Sequence, residues 1–189
     1  TRQVLWPDMD VQLVSITEQW AQYAIAGPDS RRLLERLLGD ALDISNSAIP
    51  YLACAQFSWR GIPARLFRIS FSGEMAYELA VPARYGDAAI RAIMEAGREF
   101  AVVPYGTEAL GVMRIEKGHV AGNELNGTTT AADLGLGRML SKKKDCIGRV
   151  LAARAGLTDP NRPALIGVKP VDPSARLYAG AHFLSAGAA

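Results

Sequence analysis

The sequence predicts an α+β fold, an antiparallel sheet with packed helices, and three observations carry that reading. Two apolar runs within residues 51–70 flank a glycine turn, as a hairpin requires. Strands are followed by helices without the strict alternation that builds a parallel sheet. No internal repeat is present. With 189 residues, 49% of them hydrophobic and 21% charged, the chain is long enough to bury one sizeable core.

Taken in order, "VQLVSITEQWAQYAIAG" (11–27) predicts two short strands around a polar turn at Thr17 and Glu18. "GPDSRRLLERLLGD" predicts a helix with Leu33, Leu34, Leu37 and Leu38 on one face, Pro28 in its first turn and Gly39 as its stop. "YLACAQFSW", the turn "RGIP" and "ARLFRISF" form the hairpin, with Gly61 in the bend. "RISFSGEMAYELAVP" (68–82) reads as strand, turn at Gly73 and strand. Two helices follow. "ARYGDAAIRAIMEAGREF" buries Ile90, Ile93 and Met94, and "VPYGTEALGVMRIEKGH" carries Leu110 and Met113 and stops at Gly118. A short helix is expected at about 145–154. A strand is expected in "RPALIGVKPVD", after the break "LTDPNRP", which places a domain boundary near residue 158.

Several functions are disfavoured. The net charge is only +2, and the one tight basic run, Lys142–Lys144, reads as a solvated loop or helix edge, so nucleic acid is not an expected partner. Cys54 and Cys146 lack metal or disulfide spacing, and no apolar run is long enough to span a membrane. A reducing cytoplasmic setting is the expectation. The chain begins at Thr1 and ends in "LSAGAA", which reads as a piece of a longer polypeptide. His119 and His182 fall into no metal-ligating pattern, and "GLGRML" lacks half of a dinucleotide fingerprint. No metal site is expected.

Two features carry candidate chemistry. Glu78 is a carboxylate inside a sheet-forming run, beside Tyr77 and near Glu74. Arg114 lies in "VMRIEKGH". A carboxylate accepts two hydrogen bonds in one plane and so can read the amino-amide edge of a pterin or guanine ring. A guanidinium can hold a carboxylate. An equally weighted reading makes Glu78 a structural partner of Arg68 or Arg114.

"RISFSGEMAYELAVP", "VPYGTEALGVMRIEKGHVAGNELNGTTTAADLGLGRM" and "KKKDCIGR" together resemble the folate-binding family of the glycine-cleavage T-protein, an aminomethyltransferase. Within it, the chain is most similar to the C-terminal region of the alpha subunit of heterotetrameric sarcosine oxidases. The resemblance implies a partial T-protein fold: a folate-binding domain over 1–157 lacking its N-terminal part, and the start of a C-terminal β-barrel over 158–189. It implies that Glu78 grips the pterin edge of tetrahydrofolate, that Arg114 shares the pocket, and that Tyr77 is an aromatic wall, although strand alternation turns Tyr77 to the opposite face. Arg68 and Glu74 match the motif's other polar positions, supporting the site more than touching ligand. The family's catalytic Asp belongs to a part preceding Val11, so no catalytic residue is nominated here and this stretch alone is expected to be inactive. Also implied are beta, gamma and delta partner subunits, with flavin (FAD/FMN) and NAD bound elsewhere in the complex. The product would be 5,10-methylenetetrahydrofolate, with glycine and hydrogen peroxide. A T-protein acting on a lipoylated partner and a non-catalytic folate-binding module are the competing readings.

Overall fold

A computed structural model describes residues 8–178, 180–182 and 184. The chain divides into two compact units, Thr1–His119 and Val120–Ala189.

The first unit is built on four strands: β1 (Trp20–Ala26), β2 (Cys54–Trp59), β3 (Ile62–Phe67) and β4 (Ala76–Pro82). They form one antiparallel sheet in the order β1-β4-β3-β2. The β2–β3 hairpin closes through Arg60 and Gly61, at φ 52° and 79°. Two successive positive φ values give the turn whose twist matches that of the strands. Alternate residues face the helices: Tyr23 and Ile25, Tyr77, Leu79 and Val81, Ala64 and Leu66, and Trp59. Against them pack α1 (Ser30–Leu38) and α2 (Gly86–Ala96). Helix α1 contributes Leu33, Leu34, Leu37 and Leu38, all buried as its periodicity predicts, and α2 contributes Ala89, Ile93 and Ala96. Leu34, Leu66, Tyr77, Leu79 and Val81 are fully buried, each aliphatic side chain contributing about 1.5–3 kcal/mol. Ile90 and Met94 are half-buried.

Polar groups pin the layers together. Ser30 Oγ donates to the Met75 carbonyl at 3.0 Å, where the Gly27 N–H also binds at 2.9 Å. The start of α1 is thereby tied to the entry of β4. Tyr23 Oη donates to the Gly86 carbonyl at 2.8 Å, and Trp59 Nε1 to the Leu37 carbonyl at 3.2 Å.

Helix α3 (Thr107–Lys117) forms where expected. It ends at Gly118, φ 80°, with the Gly118 N–H on the Ile115 carbonyl and the His119 N–H on the Arg114 carbonyl, a Schellman closure.

The structure corrects three expected strands. Residues 11–16 form none: Leu13 and Val14 are 61% and 77% exposed, and an apolar strand with no face to bury gains little from extension. Residues 68–75 are a loop. Arg68 Nη1 donates to Asn46 Oδ1 and the Ile49 carbonyl, each at 2.8 Å, and the Gly73 N–H donates to Ser70 Oγ at 2.9 Å, which turns the chain before β4. Among the described residues no strand follows Pro82, so "RPALIGVKPVD" has no neighbouring strand to pair with there.

The second unit contains the short helices α4 (Arg149–Ala152) and α5 (Ala155–Thr158). Within this unit Arg162 ties together separate segments. Its Nη2 reaches Asp133 Oδ2 at 2.7 Å and the Thr128 carbonyl at 2.8 Å, while its Nε sits 3.1 Å from Asp133 Oδ1. Asp133 also accepts the Thr130 N–H at 2.8 Å, and its backbone carbonyl accepts the Leu165 N–H at 2.7 Å. The Asp133 side chain is only 10% exposed.

Two expectations follow from this packing. A Cβ at Gly97 would lie 2.4 Å from Val102 Cγ1 and 2.9 Å from Leu33 Cδ1. Gly97→Ala therefore overpacks the core and is expected to lower unfolding stability by about 1–3 kcal/mol in chemical denaturation; no loss would refute the contact. Hydrogen bonds from Arg162, then the Thr130 N–H, hold the Asp133 carboxyl well below the usual carboxylate range. A depressed folded-state value adds stability above the unfolded value, near ~3.9, that is lost as pH falls toward the folded value. The hydrogen-exchange protection of Thr130 and Leu165, taken relative to their intrinsic rates, is expected to fall on acidification below about pH 4. In Asp133→Asn that protection is expected to be low already at neutral pH.

Candidate functional site

Strand β4 sits between β1 and β3, so its side chains meet neighbours on both flanks. Odd-numbered Tyr77, Leu79 and Val81 enter the helix-side core, and Ala76, Glu78, Ala80 and Pro82 take the other face. Glu78 stands in register with Ala24 on one side and Phe67 on the other. It is half-buried. Gln22 Nε2 donates to Glu78 Oε2 from the diagonal position on β1. A carboxylate with one oxygen engaged by an amide is oriented, and its remaining acceptor capacity suits a planar donor pair. The neighbours Ala24, Ala76 and Ala80 are small, and half-buried Phe67 supplies an aromatic flank.

Glu78 is engaged by neither Arg68 nor Arg114 among the described residues. Arg68 is committed to the 46–49 loop. Arg114 Nη1 donates to the His119 carbonyl at 3.2 Å, at the C-terminal end of α3. That helix end docks on the loop before β4: His119 Nδ1 and the Phe71 carbonyl are 2.8 Å apart, and their rings stack with centroids separated by 6.0 Å. Gly73, at φ 90°, is where Lys117 comes closest, since a Cβ there would lie 2.6 Å from the lysine's Cγ and Cδ. The glycine in "SGE" thus serves both a left-handed backbone and a close helix approach.

Tyr77 is not brought to the Glu78 face. It is fully buried, with Arg31 Nε donating to its Oη at 2.9 Å. Glu74 is exposed in the loop. Sequence reasoning missed Gln22 and Phe67. Both sit at alternate positions of their strands, but only the register with Glu78 distinguishes them from other such residues. A cavity of about 550 Å³ lies along β1, lined by Ile90, Met94, Phe100, Val102, Pro104 and Leu110 among others. Its wall is largely apolar, and it includes Gln22 but not Glu78, so the polar constellation lies outside it.

The sheet, its helices and the "SGEMAYE" strand entry define a domain of one family: residues 1–144 match the GCVT N-terminal domain, and the chain belongs to that family. Among its relatives, the sarcosine oxidase subunit alpha of Rhizobium meliloti (strain 1021) is 53% identical over 99% of this chain. The mitochondrial dimethylglycine dehydrogenase of Mus musculus is 34% identical over 74%, and the aminomethyltransferase of Streptomyces avermitilis is 31% identical over 79%. The chain spans 19% of the length of the Rhizobium relative, 16% of the Mus musculus relative and 40% of the Streptomyces relative.

Proposed function

We propose that this chain is the tetrahydrofolate-binding region of a sarcosine oxidase alpha subunit, receiving the one-carbon unit released by oxidative demethylation of sarcosine. The observation that carries the reading is Glu78, an oriented carboxylate on the sheet face away from the core, in a chain 53% identical over nearly its whole length to a sarcosine oxidase alpha subunit. The residues suit a pterin. The ring's amide N–H and exocyclic amine form a planar donor pair that a carboxylate accepts in two parallel bonds. Phe67 offers a flat apolar flank, and the exposed Ala24 leaves room for a ring.

The division of labour follows. Flavin, expected with NAD in other parts of the complex, would take two electrons from the C–N bond of sarcosine and pass them to oxygen. The methyl carbon would then bridge two folate nitrogens. Sarcosine, tetrahydrofolate and oxygen balance glycine, 5,10-methylenetetrahydrofolate and hydrogen peroxide. The task of this chain is to fix the pterin so that its nucleophilic nitrogens meet the arriving carbon, which lowers the barrier by orientation. Glu78 anchors the rim, and Arg114, from the helix end beside the strand entry, serves the same ligand. Arg68 and Glu74 support the loops around it. Beta, gamma and delta subunits are the proposed partners, and the cytoplasm the proposed compartment; among the described residues no helix is long and apolar enough to cross a membrane.

Titration of the full-length subunit with tetrahydrofolate tests the reading. Glu78→Gln is expected to weaken binding by about 1.5–3 kcal/mol, the value of a hydrogen bond to a charged group, with little change in thermal unfolding of the free protein. Unchanged affinity in both Glu78→Gln and Arg114→Ala would overturn the assignment. A large loss of stability without ligand would make Glu78 a structural group instead. Turnover with an aminomethylated lipoyl protein in place of sarcosine would favour the aminomethyltransferase reading, which the Streptomyces relative supports.

A further inference from the structure

On the sheet face that carries Glu78, a second charged group is held in place. Arg65 of β3 lies in the same row as Ala80 of β4 and Gln22 of β1. Its guanidinium carbon sits 4.0 Å from the ring centroid of Trp20 on β1, so the side chain crosses over β4 to reach the far strand. Ala80 beneath it is 2% exposed. A larger side chain at position 80 would lift the guanidinium off the indole. Stacking fixes the plane of an arginine while leaving its edge N–H groups directed outward. Among the described residues Arg65 has neither an ion-pair partner nor a hydrogen-bond acceptor, unlike Arg32, Arg36, Arg91, Arg98 and Arg162.

From their shared row, Gln22 leans one way to Glu78 and Arg65 the other way to Trp20, which pairs with Pro82. Glu78 and Pro82 are four residues apart on one strand, or roughly 13 Å at the rise of an extended chain. The face therefore presents an acceptor for a donor-rich ring at one end and a guanidinium held over the Trp20 ring at the other.

We propose that Arg65, positioned by Trp20, binds the carboxylate end of the ligand whose ring Glu78 holds. Resting on the folate reading above, this makes Arg65 the residue that recognises the glutamyl tail and discriminates a full folate from a bare reduced pterin. The fork geometry accepts a carboxylate through two parallel hydrogen bonds, and the half-buried setting weakens competition from water.

The test compares two ligands on the full-length subunit by calorimetric titration: tetrahydrofolate and 6-methyltetrahydropterin, which lacks the benzoylglutamate. Wild type is expected to prefer tetrahydrofolate, and Arg65→Met to weaken that ligand about tenfold or more while leaving the pterin within about twofold. Trp20→Leu, which frees the guanidinium, is expected to shift the ratio in the same direction by less. Arg65→Lys, a point charge without the fork, is expected to fall between and keeps the test open should the Met variant unfold. Equal loss of both ligands in Arg65→Met, or no loss of either, overturns the proposal. If Glu78→Gln weakens both ligands while Arg65→Met changes nothing, the ring site stands and the tail assignment falls. If wild type binds neither ligand, both fall.

Discussion

The period of two along β4, locked between two antiparallel neighbours, is the constraint on which everything else depends. Tyr77, Leu79 and Val81 are fully buried against the helices, and that burial fixes the register of β4 against β1 and β3. A slip of one residue would put Glu78 into the apolar core and expose Tyr77, replacing apolar burial with the burial of a charge. The carboxylate's location on the outer face is therefore a consequence of core packing, and its orientation is a consequence of Gln22 arriving from the diagonal. Anchors at the strand's entry reinforce this. The Met75 carbonyl receives both Ser30 Oγ and the Gly27 N–H, so the start of helix α1 and the start of β4 are set together.

Much of the first unit was legible in the sequence because its signals are local. The leucine stripe of α1 reports a buried face directly, and Arg60–Gly61 reports a two-residue turn. What failed was extension without a neighbouring strand. Leu13, Val14 and Ile16 have strand composition, as do Leu165, Ile166 and Val168, but among the described residues no strand lies beside them. The loop at 68–75 failed for a related reason. Phe67, Ile69 and Phe71 alternate as strand residues would, while Arg68 and Ser70 use side-chain hydrogen bonds to bend the backbone away. Glu78 stood out because a charge interrupts an apolar run. Gln22, Phe67 and Arg65 did not, since their meaning comes from a cross-strand register that no single segment encodes.

Family membership and geometry contribute different parts of the functional reading. Membership in the GCVT N-terminal domain family comes from 144 residues of similarity, and the relatives point toward one-carbon chemistry on methylated amines. Geometry places the candidate residues: Tyr77 lies in the core on the face opposite Glu78, Phe67 stands beside Glu78 in register, and Arg68 is occupied with Asn46 and the Ile49 carbonyl. It also explains the glycine of "SGE", where the stem of Lys117 passes and the end of α3 closes on the strand entry through His119 and Phe71. Arg114 sits at that docked helix end, not on the sheet. The proposed site thus combines a strand whose register the core sets with a helix end that docks on the loop leading into that strand.

The most direct measurement is a structure of the full-length subunit with tetrahydrofolate bound. The account requires the pterin's amino-amide edge on the Glu78 carboxylate, with Gln22 still holding the second oxygen. A pterin rim anchored on other residues, with the carboxylate of Glu78 turned to water, would contradict it.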